Sequence, residues 1–327
     1  MRYFLGVDSG GTKTTAVLVD IEGNFVAQAT AGPTDIINAG KASAVEEIKK
    51  CVEKVLFDSG ASIKDIEYAC FGMSGYGDVA CAEQNIEEVV NSVLSYKRVI
   101  INDVRAALEG AIPLKAGAVI LAGTGAMCMA KDNDGTVFRT DGWGEHIGDL
   151  GSAYYIGQMG LRSVFKAYDG REKIKTLLVE KAKEYLLENG EEDTDIRRIV
   201  DNCKGGNIRS YIAGFSKKVD EAAKENDEIS VNILENAAEE LFCSLKSVVE
   251  NAKLKKISEK VSVSFAGSVF KSEIMCEKLT CLIENEGYVL EESEFSPEYG
   301  AVIYAAGKVF DTSELKNFVG NLSENKL

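Results

Sequence analysis

The stretch Tyr3-Phe4-Leu5-Gly6-Val7-Asp8-Ser9-Gly10-Gly11-Thr12-Lys13-Thr14-Thr15-Ala16-Val17-Leu18-Val19-Asp20-Ile21-Glu22-Gly23 decides the reading of this chain, because its outline occurs twice. Residues 3–7 form an apolar run with the length of a buried strand, and a glycine-rich turn follows. Residues 14–19 predict a second strand, Asp20-Ile21-Glu22-Gly23 a tight turn, and residues 25–30 a third strand. The outline returns after Ala118. Apolar residues 119–122 lead into Gly123-Thr124-Gly125, residues 127–130 predict a strand, Asp132-Asn133-Asp134-Gly135 a turn, and residues 136–140 another strand. Gly11 to Gly23 and Gly123 to Gly135 each span 12 positions, so the two outlines keep the same spacing.

Each half then continues with helices and further strands. The first predicts a helix over 44–57, a strand over 68–73, a helix over 82–94 and a strand over 98–101. The second carries a helical insertion over about 152–252, then a strand over 261–266 and helices over 272–286 and 298–309. The expected fold is α/β: a duplicated domain spanning 1–112 and 113–327, with a hinge near 110–115 and a cleft between the halves.

Composition narrows the function. At 327 residues the chain exceeds a usual single domain, and its 45% hydrophobic and 27% charged residues are ordinary for a globular protein. Lys and Arg number 37 against 52 Asp and Glu, a formal charge of −15. An acidic surface repels phosphate backbones and anionic lipids, so neither nucleic acid nor membrane is an expected partner. No apolar run reaches the ~18 residues of a membrane span, and the first residues do not read as a signal peptide; a cytoplasmic protein is expected. The eight cysteines form no C-x-x-C pair and read mostly as small core residues. His146 is the sole histidine, which excludes histidine-rich metal sites.

Any anion must therefore be held by a local device. Glycines let the backbone approach an anion, and successive amides with the Thr12 hydroxyl could cradle phosphate oxygens at Gly10, Gly11, Thr12 and Lys13. Gly6 to Thr14 nearly spells a P-loop, but an extra threonine precedes the lysine and a strand follows where a helix must open. Alone, such a turn is equally a plain hairpin. Gly123-Thr124-Gly125 in the equivalent place makes a second phosphate clamp the stronger reading.

Asp8 ends one predicted strand and Asn102-Asp103 another, at the carboxyl ends where open α/β sheets bind ligands. A carboxylate there would hold Mg²⁺ through water, and another would orient an attacking hydroxyl and take its proton. On local sequence Asp103 is also a helix N-cap. Residues 142–152 pack four glycines and the sole tryptophan together; Trp143 could stack on a sugar and Asp149 accept from its hydroxyls, or the segment is a structural loop. Ser74-Gly75 and Gly267-Ser268 are matching strand ends, the first placed toward a sugar and the second toward adenosine, with plain turns as the alternative.

As an ordered set, Gly6-Val7-Asp8-Ser9-Gly10-Gly11-Thr12-Lys13-Thr14, Gly72-Met73-Ser74-Gly75, Asn102-Asp103, Gly123-Thr124-Gly125, Gly142-Trp143-Gly144, Gly148-Asp149-x-Gly151-Ser152-Ala153-Tyr154 and Ala266-Gly267-Ser268 resemble the N-acetylglucosamine kinase group of the BadF/BadG/BcrA/BcrD family. That group lies within the actin/hexokinase/chaperone ATPase superfamily. The resemblance implies two actin-like, ribonuclease H-like domains and an ATP- and Mg²⁺-dependent kinase acting on the 6-hydroxyl of an N-acetylhexosamine. It implies Asp103 as catalytic base, and Asp149, Trp143, Gly142, Ser74, Thr124 and Ala153 as the aminosugar site, with Asp35, Gly75 and Asn102 beside them. It also implies two phosphate hairpins, Gly267-Ser268 as adenosine wall and Asp8 as the magnesium-side carboxylate. A homodimer is expected.

Three positions depart from the group. Asp35 stands where an asparagine contacting the sugar is usual, Ala126 where a serine is common, and Leu150 where a glutamate follows Asp149. These bear on the sugar, which could be glucosamine or N-acetylmuramic acid, and leave the reaction unchanged. The activator ATPases of 2-hydroxyacyl-CoA dehydratases carry a cysteine ahead of the second hairpin, whereas Ile120-Leu121-Ala122 precede it here. Sugar-responsive regulators place a DNA-binding segment before the first phosphate motif, for which Asp8 leaves no room. A filament-forming actin-like protein is disfavoured because residues 143–152 read as a pocket loop.

Overall fold

The alternation of apolar side chains over residues 3–19 is realised as a hairpin whose two faces are both covered. In the computed structural model, residues 1–11, 13–34, 40–77, 80–204 and 208–325 are described. The chain runs β1 (Tyr3–Ser9), β2 (Thr14–Asp20), β3 (Phe25–Ala31), α1 (Lys41–Ser59), β4 (Ile66–Met73), α2 (Ala80–Val93), β5 (Arg98–Asn102) and α3 (Asp103–Ala111). It continues through β6 (Gly117–Ala122), β7 (Ala126–Lys131), β8 (Val137–Asp141), α4 (Ala153–Tyr168), α5 (Leu178–Glu188), α6 (Arg198–Asn202), α7 (Ile208–Gly214), α8 (Ser216–Lys224) and α9 (Glu228–Asn251). The last elements are α10 (Leu254–Ile257), β9 (Ser262–Ala266), α11 (Glu273–Asn285), β10 (Val289–Leu290), α12 (Pro297–Ala306) and α13 (Thr312–Glu324). None of these helices is long and apolar enough to cross a membrane.

Two five-stranded sheets result, ordered β3-β2-β1-β4-β5 and β8-β7-β6-β9-β10. In the first, β1 pairs antiparallel with β2 and parallel with β4, and β5 adds parallel to β4. In the second, β7 and β8 pair antiparallel and β9 and β10 parallel. Hairpin aligned on hairpin, the strand orders are identical, as the repeated outline anticipates. The protein is a two-domain α/β fold.

Two compact units form, residues 1–119 with 292–327, and residues 120–291. The sequence-based division at 112/113 assigns the C-terminal helices to the second domain; in the structure they complete the first. The physical cause lies in Gly6 and Gly300. A Cβ on Gly6 would lie 2.1 Å from Glu298 O, and one on Gly300 would lie 2.0 Å from Ala106 O. Bare backbone at both positions lets α12 lie directly on β1 and α3, where Ala301, Val302 and Ala305 bury with Phe4, Val17 and Cys70. The opposite sheet face buries Leu5, Val7, Ala16 and Leu18 against Ile48, Val52 and Val55 of α1 and Ile86 and Val90 of α2.

Other differences are local. α13 has no counterpart in the sequence reading although Asp311 and Glu314 form a complete capping box at its start. Of the cysteines with described side chains, Cys51, Cys70 and Cys128 are core residues as expected, while Cys243 and Cys281 are exposed.

Candidate active site

In the first unit the β1–β2 hairpin closes through Gly10 N donating to Lys13 O at 3.1 Å. It is anchored from outside: Ser74 N donates to Ser9 O at 3.0 Å and Thr34 N to Gly10 O at 3.1 Å. Gly10 and Gly11 have no positive φ, and added Cβ atoms would meet only Lys13 O at 4.0 Å and nothing at all, respectively. The fold itself thus demands glycine at neither place, whereas a ligand approaching the amides would.

Asp8 precedes this hairpin and faces Thr15 across the ladder, on the sheet side that carries Phe4 and Gly6. Among the described residues, Thr15 Oγ1 is buried there without a hydrogen-bond partner. Burial first, then the charges of Asp103 and Glu298, push the Asp8 carboxyl up to about 7 against a smaller pull from Lys13. Such a crowded carboxyl beside an orphaned hydroxyl suits a hydrated cation. Among the described residues no group of acidic, imidazole or thiol side chains could hold an ion by itself. Mg²⁺ at Asp8 would take most of its oxygens from phosphate and water, as is usual for this ion.

Asp103 is the first residue of α3 and is not its cap. Asn102 takes that role: its Oδ1 accepts from Val104 N at 3.0 Å and its Nδ2 donates to Tyr76 O at 2.9 Å. The Asp103 carboxylate accepts from the same Val104 N at 3.0 Å. Gly72 of β4 sets the depth of this helix, since a Cβ there would lie 2.9 Å from Ala106 Cβ and 3.7 Å from Asp103 Cα. Glu298, which the sequence reading passes over, is buried in α12 and accepts from Gln28 Nε2 at 3.0 Å. Its local signal is a proline at the first helical position, marking a helix start but not where that helix docks.

In the second unit Gly123 N donates to Gly125 O at 2.9 Å, closing the β6–β7 hairpin. The first amides of α4 fix it, Ala153 N donating to Gly123 O at 2.8 Å and Tyr154 N to Thr124 O at 3.3 Å. Gly123, like Gly11, has no positive φ and no atom within 4 Å of an added Cβ. Gly267, with φ 123°, ends β9 against β6; a Cβ would lie 2.1 Å from Ala122 O. The 267–268 turn therefore sits beside the start of the hairpin. Gly75 has φ 81° in the matching turn after β4, and Ser74 is exposed.

The loop after β8 is organised by Asp141, also missed from sequence. Its Oδ1 accepts from Gly142 N and Asp149 N, both at 2.8 Å, and its Oδ2 from Leu150 N at 2.9 Å. Asp141 and Asp149 both have positive φ, 61° and 57°, a backbone region that non-glycine residues occupy at a cost. Trp143 is 59% exposed, with the Arg139 guanidinium 4.2 Å from its ring centroid, so the indole keeps open surface for a ligand. Asp149 is buried, and Arg209 of α7 reaches its Oδ2 at 2.8 Å. Arg209 lies 60 positions away in the helical insertion, and nothing local in the sequence announces it.

Each unit thus assembles its own part of the expected constellation: hairpin, Asp8, Ser74, Gly75, Asn102 and Asp103 in the first, and hairpin, Gly142, Trp143, Asp149, Ala153, Gly267 and Ser268 in the second. Thr12 and Asp35 lie outside the described residues.

The chain is 31% identical over 278 residues to the N-acetylmuramic acid/N-acetylglucosamine kinase of Clostridium acetobutylicum, covering 83% of this chain and 87% of that protein. It is 31% identical over 320 residues to the N-acetyl-D-glucosamine kinase of Dictyostelium discoideum, covering 93% and 98%. Its fold matches a Chromobacterium violaceum protein provisionally named an N-acetylglucosamine kinase, with TM-score 0.73 and 21% identity over 93% of this chain and 99% of the other. The model of the BadF/BadG/BcrA/BcrD ATPase family matches residues 5–305, and the chain belongs to that family.

Proposed function

We propose that this protein is an ATP-dependent kinase that phosphorylates the 6-hydroxyl of an N-acetylhexosamine, N-acetylglucosamine or N-acetylmuramic acid. The observation that carries the reaction type is Asp103, a carboxylate at the head of a capped helix beside Asp8 and the glycine hairpin. Two relatives at 31% identity, named for these aminosugars, support the substrate class.

The residues fit the nucleotide. Amides of the 10–13 and 123–125 hairpins would hold the phosphates, the 267–268 turn the adenosine, and Asp8 the Mg²⁺ that neutralises phosphate charge. Asp103 orients the 6-hydroxyl and accepts its proton, while Asn102 and Tyr76 keep that carboxylate at the helix end. Asp149 accepts hydrogen bonds from ring hydroxyls and Trp143 offers its indole face. Ser74 and Gly75 in the first unit, and Thr124, Gly142 and Ala153 in the second, are the further residues of the sugar-contact reading, and Ala153 also holds the second hairpin. The reading includes a cytoplasmic homodimer and no nucleic-acid or membrane partner.

A second reading, glucosamine, is favoured by Asp35 alone, since a carboxylate accepts hydrogen bonds but cannot donate as an asparagine does. An ADP-release screen of N-acetylglucosamine, N-acetylmuramic acid, glucosamine, glucose and N-acetylmannosamine, in wild type and Asp35→Asn, decides between them. Highest kcat/KM on glucose would remove the aminosugar assignment, and no ADP release with any sugar would remove the kinase.

A further inference from the structure

Asp149 is a buried carboxylate in a left-handed backbone conformation, and among the described residues its carboxylate has two hydrogen-bond partners. Ala126 N donates to its Oδ1 at 3.4 Å and Arg209 Nη2 to its Oδ2 at 2.8 Å. Arg209 arrives on a short helix, α7, and its Nε lies 3.3 Å from Glu145 Oε2 without forming a hydrogen bond. A Cβ on Gly125 would sit 2.8 Å from both Arg209 Nη2 and Asp149 Oδ2. The ion pair therefore occupies the space beside the 123–125 hairpin that any side chain at 125 would fill.

We propose that Arg209 is a positioning residue for sugar binding, holding the Asp149 carboxylate ionised and in one orientation against the second glycine hairpin. This rests on the reading of Asp149 as a sugar contact. A carboxylate offers about four lone-pair directions, so two remain for ring hydroxyls after Ala126 and Arg209 are served. The charged groups acting on Asp149 are Arg209 from α7, Asp141 at the end of β8 and Glu145 in the loop. Burial above all, with the two acids, raises the Asp149 carboxyl above the ordinary carboxylate value, and Arg209 and the Ala126 amide oppose that rise. Once protonated, Asp149 would present a donor where the sugar needs an acceptor. The Arg209 side chain is 40% exposed while that of Asp149 is 5% exposed, so loss of the guanidinium would leave a buried carboxylate without its cation.

The test uses Arg209→Met, Arg209→Lys and each in an Asp149→Asn background, with steady-state kinetics on N-acetylglucosamine from about pH 6 to about pH 8.5. In the wild type the sugar KM stays level. In Arg209→Met it rises roughly tenfold or more, the scale of one charge-assisted hydrogen bond, and rises further as pH falls. The ATP KM stays within about twofold and kcat changes less than the sugar KM; lysine restores part of the loss, because it keeps the charge without the fork. An Arg209→Met variant whose sugar KM tracks the wild type at every pH, or whose sugar KM, ATP KM and kcat fall away together, overturns the proposal.

Thermal unfolding without ligand reads the same coupling independently of substrate. Loss of Arg209 raises the folded-state affinity of Asp149 for a proton, so the destabilisation should be larger near pH 8 than near pH 5 and lose that dependence in Asp149→Asn. An equal penalty at both pH values, unchanged by Asp149→Asn, counts against Arg209. A wild type without turnover on any aminosugar removes the functional reading instead, and the unfolding comparison still decides whether Arg209 governs Asp149.

Discussion

Gly72→Ala is the sharpest probe of how the fold places Asp103, the proposed catalytic carboxylate. The added methyl would lie 2.9 Å from Ala106 Cβ and 3.3 Å from Val7 O, in a strand flanked on that face by α3. Carbon atoms pack at about 3.5–4.0 Å, so α3 must retreat by roughly 0.6–1 Å. Overpacking of this kind costs about 1–3 kcal/mol, and the part of the helix displaced begins at Asp103. A shift near 1 Å in a reacting group lowers turnover by about 10²-fold. The proposed nucleotide site at the 10–13 hairpin includes no residue of α3, so the ATP KM should stay within about threefold. The assay is ADP release at saturating sugar, run well below the variant's melting temperature as read by circular dichroism. A folded Gly72→Ala protein with wild-type kcat would refute the argument that Gly72 sets the position of Asp103.

Three further outcomes are expected. Asp103→Asn should lower kcat by about 10²–10⁴-fold while leaving nucleotide affinity nearly unchanged, measured by titration with a non-hydrolysable analogue. Asp8→Asn should stabilise the ligand-free protein near pH 8: a folded-state carboxyl at about 7 against 3.8 in the unfolded chain disfavours folding by at most about 4 kcal/mol above pH 7. Because the folded state binds the extra proton, wild-type stability falls as pH rises from about 4 to about 7, so the advantage of Asn should shrink towards pH 4; a pH-independent gap would contradict this. Gly123→Ala should leave the melting temperature nearly unchanged, since no neighbour meets the methyl, and should weaken ATP by about tenfold in a binding titration.

The sequence by itself determined the repeated strand–hairpin–strand outline, because glycine turns and strand periodicity are local properties of residues 3–23 and 118–135. The same locality exposed Asp8, Asp103 and the tryptophan loop, each lying at a strand end or within a glycine cluster. Tertiary structure alone decided that α12 belongs to the first unit, since Gly6 and Gly300 are nearly 300 residues apart and their close approaches appear only on packing. It made Asn102 the cap of α3 and Asp103 its first residue, a choice between adjacent residues that both favour helix starts. Glu298, Asp141 and Arg209 were invisible beforehand for a related reason. Each acts on Asp8 or Asp149 across 8 to 290 positions of chain, and burial, which gives a charge its strength, is a property of the assembled fold.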